Sequence, residues 1–551
     1  MARLDRLAEA KPVAQLAATI GREFSYELLQ AVSPLEAPAL QRELARLVEA
    51  ELLFQRGLPP AAHYIFKHAL IQEAAYQSLL RSTRQHYHRR IVEVLAERFP
   101  EIGELSPELV AHHYTEAGLA ADAIPFWQRA GDSAVRRSAH SEAAAHFERG
   151  LALAQSLPRS PESARVELGL LTALGPVLFG SRGFAAPETE RVYARALALC
   201  AELGDTPETF PALWGQWGFL VVQGNVQKSL EIGEQLLARA HRSGDPAHLL
   251  QAHHALWPTH FFRGEVVASL ESVEAGLALY NPIRHSSLAS MFGGHDARIC
   301  GLAFATMSRF VRGYPRQAAE SARQVIELAD QLGHPHSLAN GYPWVALALG
   351  LLGHFELALT TAEASQRVAA EYGFPQWGAL GMMAHGSTLA ALGQVEEGLI
   401  EMRRGLADWR ATHARSLLPT FLALIAEAEL RRGDVDAALR AVEEALAGGV
   451  ARGERLSEAE LYRLKGEALL ARPSPDAPEA EACFQRALTI ARAQEAKGWE
   501  LRAALSLARL WRSRGRGQDA RRLVAETTAW FTEGHDTTDL RAASELVGQL
   551  T

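Results

Sequence analysis

Apolar residues recur at helical spacing along most of this chain, and glycines break the pattern at regular intervals. Glu142 to Gln155 shows the pattern well: Ala143, Phe147, Leu151 and Ala154 alternate small and large side chains on one face. Further on, one glycine series reads Gly224, Gly264, Gly313, Gly353, Gly393 and Gly433, in steps of 40, 49, 40, 40 and 40. A second reads Gly204, Gly244, Gly333, Gly373 and Gly453, offset from the first by 20. The runs between are rich in Ala, Leu, Glu and Arg, which favour helix. Glycine tolerates the left-handed conformation that closes a helix, so each mark ends one helix and lets the next begin. The pattern predicts helical hairpins, about nine or ten of them, stacked as a tetratricopeptide-like α-solenoid of right-handed twist. In such an array each hairpin is expected to touch only its neighbours.

The rhythm has irregular stretches. Val110 to Ala117 and Ala121 to Ser133 make a first pair around Gly118, and Leu168 to Phe179 precedes the loop Gly180-Ser181-Arg182-Gly183. Pro187 opens another helix at the position proline favours. The 49-residue step holds a turn-rich insertion, Tyr280-Asn281-Pro282-Ile283-Arg284-His285, and Pro473 to Pro478 is a second one. A polar helix after Gly534 reads as a solubilising cap.

Residues 1–100 follow another pattern. Met1 to Leu7 is a charged amphipathic helix pattern that starts abruptly. Lys11 to Leu29 reads as two short helices around Gly21, and Leu35 to Leu53 as one amphipathic helix carrying Leu40, Leu44, Leu47, Val48 and Leu52. Leu52 to Gln55 and His63 to Phe66 read as two short strands around the turn Gly57 to Pro60, with a helix from His68 to Leu80 after them. Three helices, a hairpin and a helix make the layout of a winged helix. Its candidate recognition helix, Ala39 to Glu51, sets Glu43, Glu49 and Glu51 against Arg42 and Arg46 and offers no Asn, Lys or Ser to read bases, so DNA is an unfavoured partner. The expected division is 1–100 winged helix, 101–200 irregular hairpins, 201–530 regular repeats and 531–551 capping helix.

Chemistry narrows the reading. The net charge of −8 disfavours loose binding to nucleic acid or anionic membrane. Cys200, Cys300 and Cys483 lie far apart without paired spacing, which suits a reducing cytoplasm and predicts neither disulfides nor metal. The chain contains no G-x-x-x-x-G-K-S/T, H-E-x-x-H or G-x-S-x-G. His112-His113 and His253-His254 are adjacent and point to different sides of a helix, and His260 is two turns from His253, so no metal is expected from them. Catalysis and a cofactor within the chain are not expected. The first helix of each repeat carries aromatic residues, among them Trp214, Trp217, Trp257, Phe261, Phe262, Tyr342, Trp344 and Trp377. They either pack between hairpins or line a concave groove for a protein, a peptide or a small effector. Trp257, Asn340, Tyr342, Trp344, Trp377 and His385 are the groove candidates, mixing polar with adaptable apolar contacts near Met382.

Four stretches resemble a known family. They are Tyr64-Ile-Phe-Lys-His-Ala-Leu-Ile-Gln-Glu-Ala-Ala-Tyr76 with Leu79-Leu-Arg-Ser-Thr-Arg-Gln85, then Leu109 to Gly118, then Arg463-Leu-Lys-Gly-Glu467, then Trp530 to Leu540. Together they are similar to bacterial STAND-type ATPases, closest to large proteins in which a class III adenylate/guanylate cyclase domain precedes an AAA-like ATPase and a tetratricopeptide-like tail. The cyclase and nucleotide-binding domains are not in this sequence, so Met1 reads as an internal methionine of a longer protein. The resemblance implies a regulatory, sensing and interaction role in signal transduction, with ATP or ADP and Mg2+ bound only in full-length relatives. It implies upstream nucleotide-binding and cyclase domains as partners, and no membrane. In that family a histidine of a Met-His-Asp-like motif touches the ADP phosphate. Lys67-His68-Ala69 resembles that motif and nominates His68, although Ala69 replaces the acid. Two other readings stay open: an ATP-binding cyclase by family inheritance, and the tail of an ATPase-type transcriptional regulator.

Overall fold

The computed structural model describes residues 7, 9–204 and 206–549, so the helix expected over residues 1–7 lies almost wholly outside them. The described residues form twenty-nine α-helices and one three-stranded sheet. They fall into two compact units, Met1–Arg137 with Glu142–Leu170, and Ser138–Ser141 with Leu171–Thr551. Residues 101–170, grouped by their sequence with the irregular hairpins, thus belong mostly to the first unit.

The first unit begins α1 (Lys11–Ile20), β1 (Glu23–Ser25), α2 (Tyr26–Val32), α3 (Ala37–Glu49), β2 (Leu53–Arg56), β3 (His63–Phe66) and α4 (Ala69–Gln77). The sheet runs β1-β3-β2, antiparallel throughout, with Leu53 opposite Phe66 and Glu23 opposite Ile65. Strand β1 is the element that the sequence reading lacks. Three residues are too few for a period of two to show, and Glu23 to Ser25 sit where a second helix was expected to begin. The strand earns its place through Phe24, whose ring stacks on Tyr64 at 5.7 Å. Ser25 then caps α2, its hydroxyl accepting the Leu28 N–H at 3.1 Å. Helix α3 stops at Glu49 instead of Leu53, because Glu51 holds left-handed backbone and Leu53 already belongs to β2. The helix expected from His68 to Leu80 is α4, shorter at both ends. Next come α5 (Arg81–Arg98), α6 (Pro100–Leu105), and the hairpin α7 (Pro107–Glu116) with α8 (Ala120–Arg136). In this unit His88 and His113 are buried with their Nδ1 atoms 2.8 Å apart, and the Tyr76 hydroxyl is 3.0 Å from His88 Nε2.

Helices α9 (His140–Ser156) and α10 (Pro161–Ser181) lead into the second unit, where α11 (Pro187–Leu203) precedes the regular repeats. The first three hairpins are α12 (Thr209–Gln223) with α13 (Val226–Ser243), α14 (Pro246–Arg263) with α15 (Val266–Leu279), and, after the short α16 (Pro282–His285), α17 (Ala297–Arg312) with α18 (Pro315–Leu332). Then follow α19 (Pro335–Leu352) with α20 (Phe355–Tyr372), α21 (Pro375–Ala391) with α22 (Val395–Ala411), and α23 (Leu418–Arg432) with α24 (Val435–Arg452). Helices α25 (Glu458–Leu470) with α26 (Ala477–Ala493) and α27 (Lys497–Ser513) with α28 (Gly517–Thr528) complete the array, and α29 (Thr538–Gln549) covers its end with Leu540, Ala543 and Leu546 buried. The unit is a tetratricopeptide-like helical solenoid. Gly224, Gly244, Gly264, Gly313, Gly333, Gly353, Gly373, Gly433 and Gly453 all hold left-handed backbone at helix ends, as their spacing predicts.

The hairpins do not touch only their neighbours. The N–H groups of Arg415 and Ser416 donate to Val222 O, and that of Arg455 to Phe262 O at 2.8 Å. Arg312 pairs with Glu495 at 3.0 Å, and the first helices α17 and α27 pack together. In each case a repeat meets the fifth repeat after it, so successive turns of the superhelix rest on one another along a seam. The two glycine series differ for this reason. A side chain added at Gly224, Gly264, Gly313 or Gly353 would strike Arg452, Gln494, Lys497 or Thr538 of the next turn. One added at Gly204, Gly244, Gly333, Gly373 or Gly453 would meet nothing within 4 Å. Gly393 and Gly433 also face open space, having no later turn above them.

Candidate functional site

Contacts across the seam narrow the inner face of the solenoid. Trp214 and Trp217 of α12, His254 of α14, Asn340 and Trp344 of α19, and Trp377 of α21 converge on a cavity of about 60 Å³, closed by Trp409, Ser416 and Leu417 from the next turn. A volume of this size holds a water or two, an ion or a small group, but no peptide. Of the six groove candidates, the structure brings Asn340, Trp344 and Trp377 to this cavity, all buried. Trp257 backs its wall, stacked on the His254 ring at 4.5 Å. Tyr342 and His385 do not line it. The Tyr342 hydroxyl donates to Asp330, and His385 Nδ1 lies 2.6 Å from Glu401 Oε2. The imidazole of His385 is pushed up by that hydrogen bond and by the charges of Glu401 and Glu363. His68 is elsewhere, exposed at the N-cap of α4, where its side chain makes no capping bond.

Most indole N–H groups around the chamber have partners. Trp214 Nε1 donates to Gln251 O at 3.2 Å, Trp217 Nε1 to Thr259 Oγ1 at 2.9 Å, and Trp377 Nε1 to His336 Nε2 at 2.9 Å. Five buried polar atoms in this region lack one: Trp257 Nε1, Trp344 Nε1, Asn340 Oδ1, His295 Nε2 and His336 Nδ1. Burial pushes His254 and His336 well below the usual imidazole range and His295 down to about 4, so all three rings are neutral at pH 7. It also pushes the Cys300 thiol up to about 12. Among the described residues, His254, His295 and Cys300 form a buried group whose donor atoms all lie within 4.8 Å of one another.

His254, His295 and Cys300 lie on a helix, a loop and a second helix, so no ligand spacing along one helix marks His295 and Cys300 in the sequence. His295 arrives on the long 49-residue step. Gly293 and Gly294 both hold left-handed backbone, and a Cβ on either would collide, with Trp214 at 2.7 Å or His336 at 2.3 Å. Only glycine lets this loop pass so close to the aromatic wall. Asp296 then fixes the loop. Its Oδ1 accepts the N–H groups of Arg298 and Ile299 at the start of α17, its Oδ2 accepts the Tyr280 hydroxyl at 2.6 Å, and its own N–H donates to Ser337 Oγ. The signal that could have found His295 is the pair of glycines inside the one irregular step.

Residues of the C-terminal motifs tie neighbouring repeats together and, through Trp530 and Glu533, fasten the seam. Arg463 makes a bidentate pair with Glu460, and Arg502 bridges Glu460 at 2.6 Å, Glu427 at 3.3 Å and Asp539 at 3.6 Å. Burial alone would raise the Glu427 carboxyl, but Arg502, Arg463 and Arg431 hold it low. Glu533 accepts the Gln317 N–H at 3.1 Å, and Trp530 lies under Arg312 and Lys497. Both contacts clasp the turn between α17 and α18.

No family model matches the chain. It is 28% identical over 515 residues to the uncharacterized protein R02095 of Rhizobium meliloti (strain 1021), a match covering 92% of this chain and 49% of that protein. The chain therefore spans about half the length of the curated relative it matches. Among solved structures it is similar to a Rap protein complexed with the competence and sporulation factor, at 11% identity and TM-score 0.49, covering 70% of this chain and 99% of that one. It is also similar to a Pyrococcus horikoshii signal transduction ATPase with numerous domains carrying a tetratricopeptide repeat sensor, at 11% identity and TM-score 0.31, covering 98% and 65%. A third is the apo quorum sensor NprR from B. thuringiensis, at 12% identity and TM-score 0.40, covering 67% and 98%. No helix among the described residues is long and apolar enough to cross a membrane.

Proposed function

We propose that this chain is the regulatory part of a larger STAND-type signalling protein: a sensor and protein-interaction scaffold with no catalysis of its own. The observation that carries this reading is the narrow chamber covered by the next superhelical turn. The inner helices that a solenoid offers to partners are held shut by hydrogen bonds and ion pairs between repeats five apart. A ligand that binds the wound or the unwound form better shifts the balance between them by that difference in affinity. The first unit supports the reading separately. Its helix, strand, helix, helix, strand, strand order with sheet β1-β3-β2 fits a winged helix. Leu58, Leu70 and Leu80 are exposed on it, apolar surface suited to an attached domain. In that assembly His68 donates to an ADP phosphate held by the nucleotide-binding domain.

The isolated chain is expected neither to hydrolyse ATP nor to form cyclic AMP. In a full-length relative, removing the half that corresponds to this chain should change nucleotide turnover roughly fivefold or more, the usual span of an allosteric coupling. His68→Ala in the same protein should speed ADP release tenfold to hundredfold, because a charge-assisted hydrogen bond is worth about 1.5–3 kcal/mol. Turnover indifferent to removal of this half would overturn the regulatory reading. Equal ADP release would reduce His68 to a surface residue.

A further inference from the structure

We propose that His254, His295 and Cys300 form a binding site for a zinc-type divalent cation, with the amide oxygen of Asn340 as the fourth donor. The three side chains come from α14, from the loop before α17 and from α17 itself, and all are buried. One nitrogen of each ring and the Cys300 sulfur lie within 4.8 Å of one another. In both rings Nδ1 is already engaged, by Gln251 Oε1 at 3.0 Å in His254 and by Gly293 O at 3.0 Å in His295. An acceptor at Nδ1 keeps the proton there and leaves the Nε2 lone pair available, as in metal-bound imidazoles. His295 Nε2 and Asn340 Oδ1 are both buried without a hydrogen-bond partner. Buried acceptors left alone are rare, and two of them lining the cavity that also holds the Cys300 thiol call for an explanation. A cation among the His254, His295 and Cys300 donors would give His295 Nε2 its partner and face Asn340 across the same cavity.

The donor set selects the ion. Two imidazoles, a thiolate and an amide oxygen suit Zn2+ in tetrahedral geometry and not Mg2+ or Ca2+, which take oxygen shells. Bonds of about 2.0–2.3 Å to a common ion place donor atoms about 3.5 Å apart, so the group closes inward from its present spread by side-chain rotation. On binding, the Cys300 Sγ–H bond is exchanged for a sulfur–zinc bond and the proton leaves to solvent, with no change of oxidation state.

The site also gives the long repeat a purpose. The nine residues by which its step exceeds the others (49 − 40) carry a loop whose two glycines pass the aromatic wall and deliver His295. A bound ion would clip α14 to the start of α17 at the chamber floor. The proposal deepens the sensor reading by naming a ligand class, and rests on that reading only for its regulatory meaning.

The test uses the reduced, metal-stripped full chain titrated with Co2+ as a spectroscopic stand-in. One equivalent should produce a near-ultraviolet thiolate-to-cobalt charge-transfer band with tetrahedral visible bands, and Zn2+ should displace it. Cys300→Ser should abolish the charge-transfer band, and His295→Gln should weaken Zn2+ binding at least tenfold. The double variant Cys200→Ser/Cys483→Ser, which leaves Cys300 as the sole thiol, should keep the band. Absence of the band in the wild type, its survival in Cys300→Ser, or its loss in the folded double variant would overturn the proposal. If Cys300→Ser does not fold, the double variant decides alone. A silent cobalt titration beside intact regulation in a full-length relative removes the cation and keeps the sensor; a positive titration beside absent regulation does the reverse.

Discussion

The two compact units treat their most distinctive residues in opposite ways. In the first, His68 and Leu70 stand on the surface and the motif from Tyr64 to Tyr76 presents them there. In the second, Arg463, Trp257, Trp344 and Trp377 are buried, and the motif residues Trp530 and Glu533 fasten one superhelical turn to the next. Similar sequence signals thus reach different ends. The exposed set contributes little to the packing of its own unit, whereas the buried set is part of the closure of the fold itself. Point substitutions should separate the two, because only the buried set changes stability strongly.

The sharpest contrast pairs Trp344→Ala with His68→Ala. Removing a buried indole from the chamber leaves a void and should destabilise the second unit by about 3–5 kcal/mol. His68 has no such packing, so its removal should stay within about 0.5 kcal/mol. Because the two units need not unfold together, site-resolved hydrogen exchange is the suitable measurement. Comparable losses from both substitutions would erase the distinction.

Within the second unit the seam can be isolated by two alanines that share one backbone strain. Gly534 and Gly453 both hold positive φ, at 69° and 72°. A Cβ at Gly534 would fall 2.1 Å from Pro315 Cγ, in a rigid ring of the earlier turn, whereas at Gly453 it meets nothing within 4 Å. Gly453→Ala should cost about 1 kcal/mol and loosen exchange locally. Gly534→Ala should cost about 2–4 kcal/mol, since forced repacking adds to the strain, and should also loosen the turn between α17 and α18. Equal costs would mean that the seam contributes nothing.

How much was legible in advance follows the same division. The glycine period announced the helix ends, because a left-handed cap is a local requirement that leaves a local mark. The seam left no comparable mark. Val222 meets Ser416, and Arg312 meets Glu495, through chain winding that no window of 20 or 40 residues contains. The assumption of neighbour-only contacts failed there for that reason. The chamber was half legible: the tryptophans declared themselves by their place on the first helices. His295 and Cys300 did not, since their nearness to His254 exists only after repeats stack. Strand β1 was hidden by its length.

The smallest expected effect concerns the sign of pH dependence, which also differs between the units. In the first, His88 is held down to about 4 by burial, with His112 and Arg84 adding repulsion, while Tyr76 and His113 pack against its ring. Between the ordinary imidazole value near 6.5 and about 4, the unfolded chain takes up the proton and the folded chain does not. Stability contributed by a neutral His88 is therefore lost as pH falls through that window. His385 in the second unit is the reverse case. Its folded value is raised by Glu401 and then Glu363, so its stabilisation is complete below about 6.5 and disappears as pH rises through the folded value. Its ring and Glu401 are both partly solvated, which limits the pair to about 0.5–1 kcal/mol. His385→Gln should accordingly cost that amount at pH 6 and nothing at pH 9, read as exchange protection in α21 and α22. His88→Gln should instead flatten the acid loss of α5 and α7. A His385→Gln cost that stays constant from pH 6 to 9 would show that the side chain packs and does not pair.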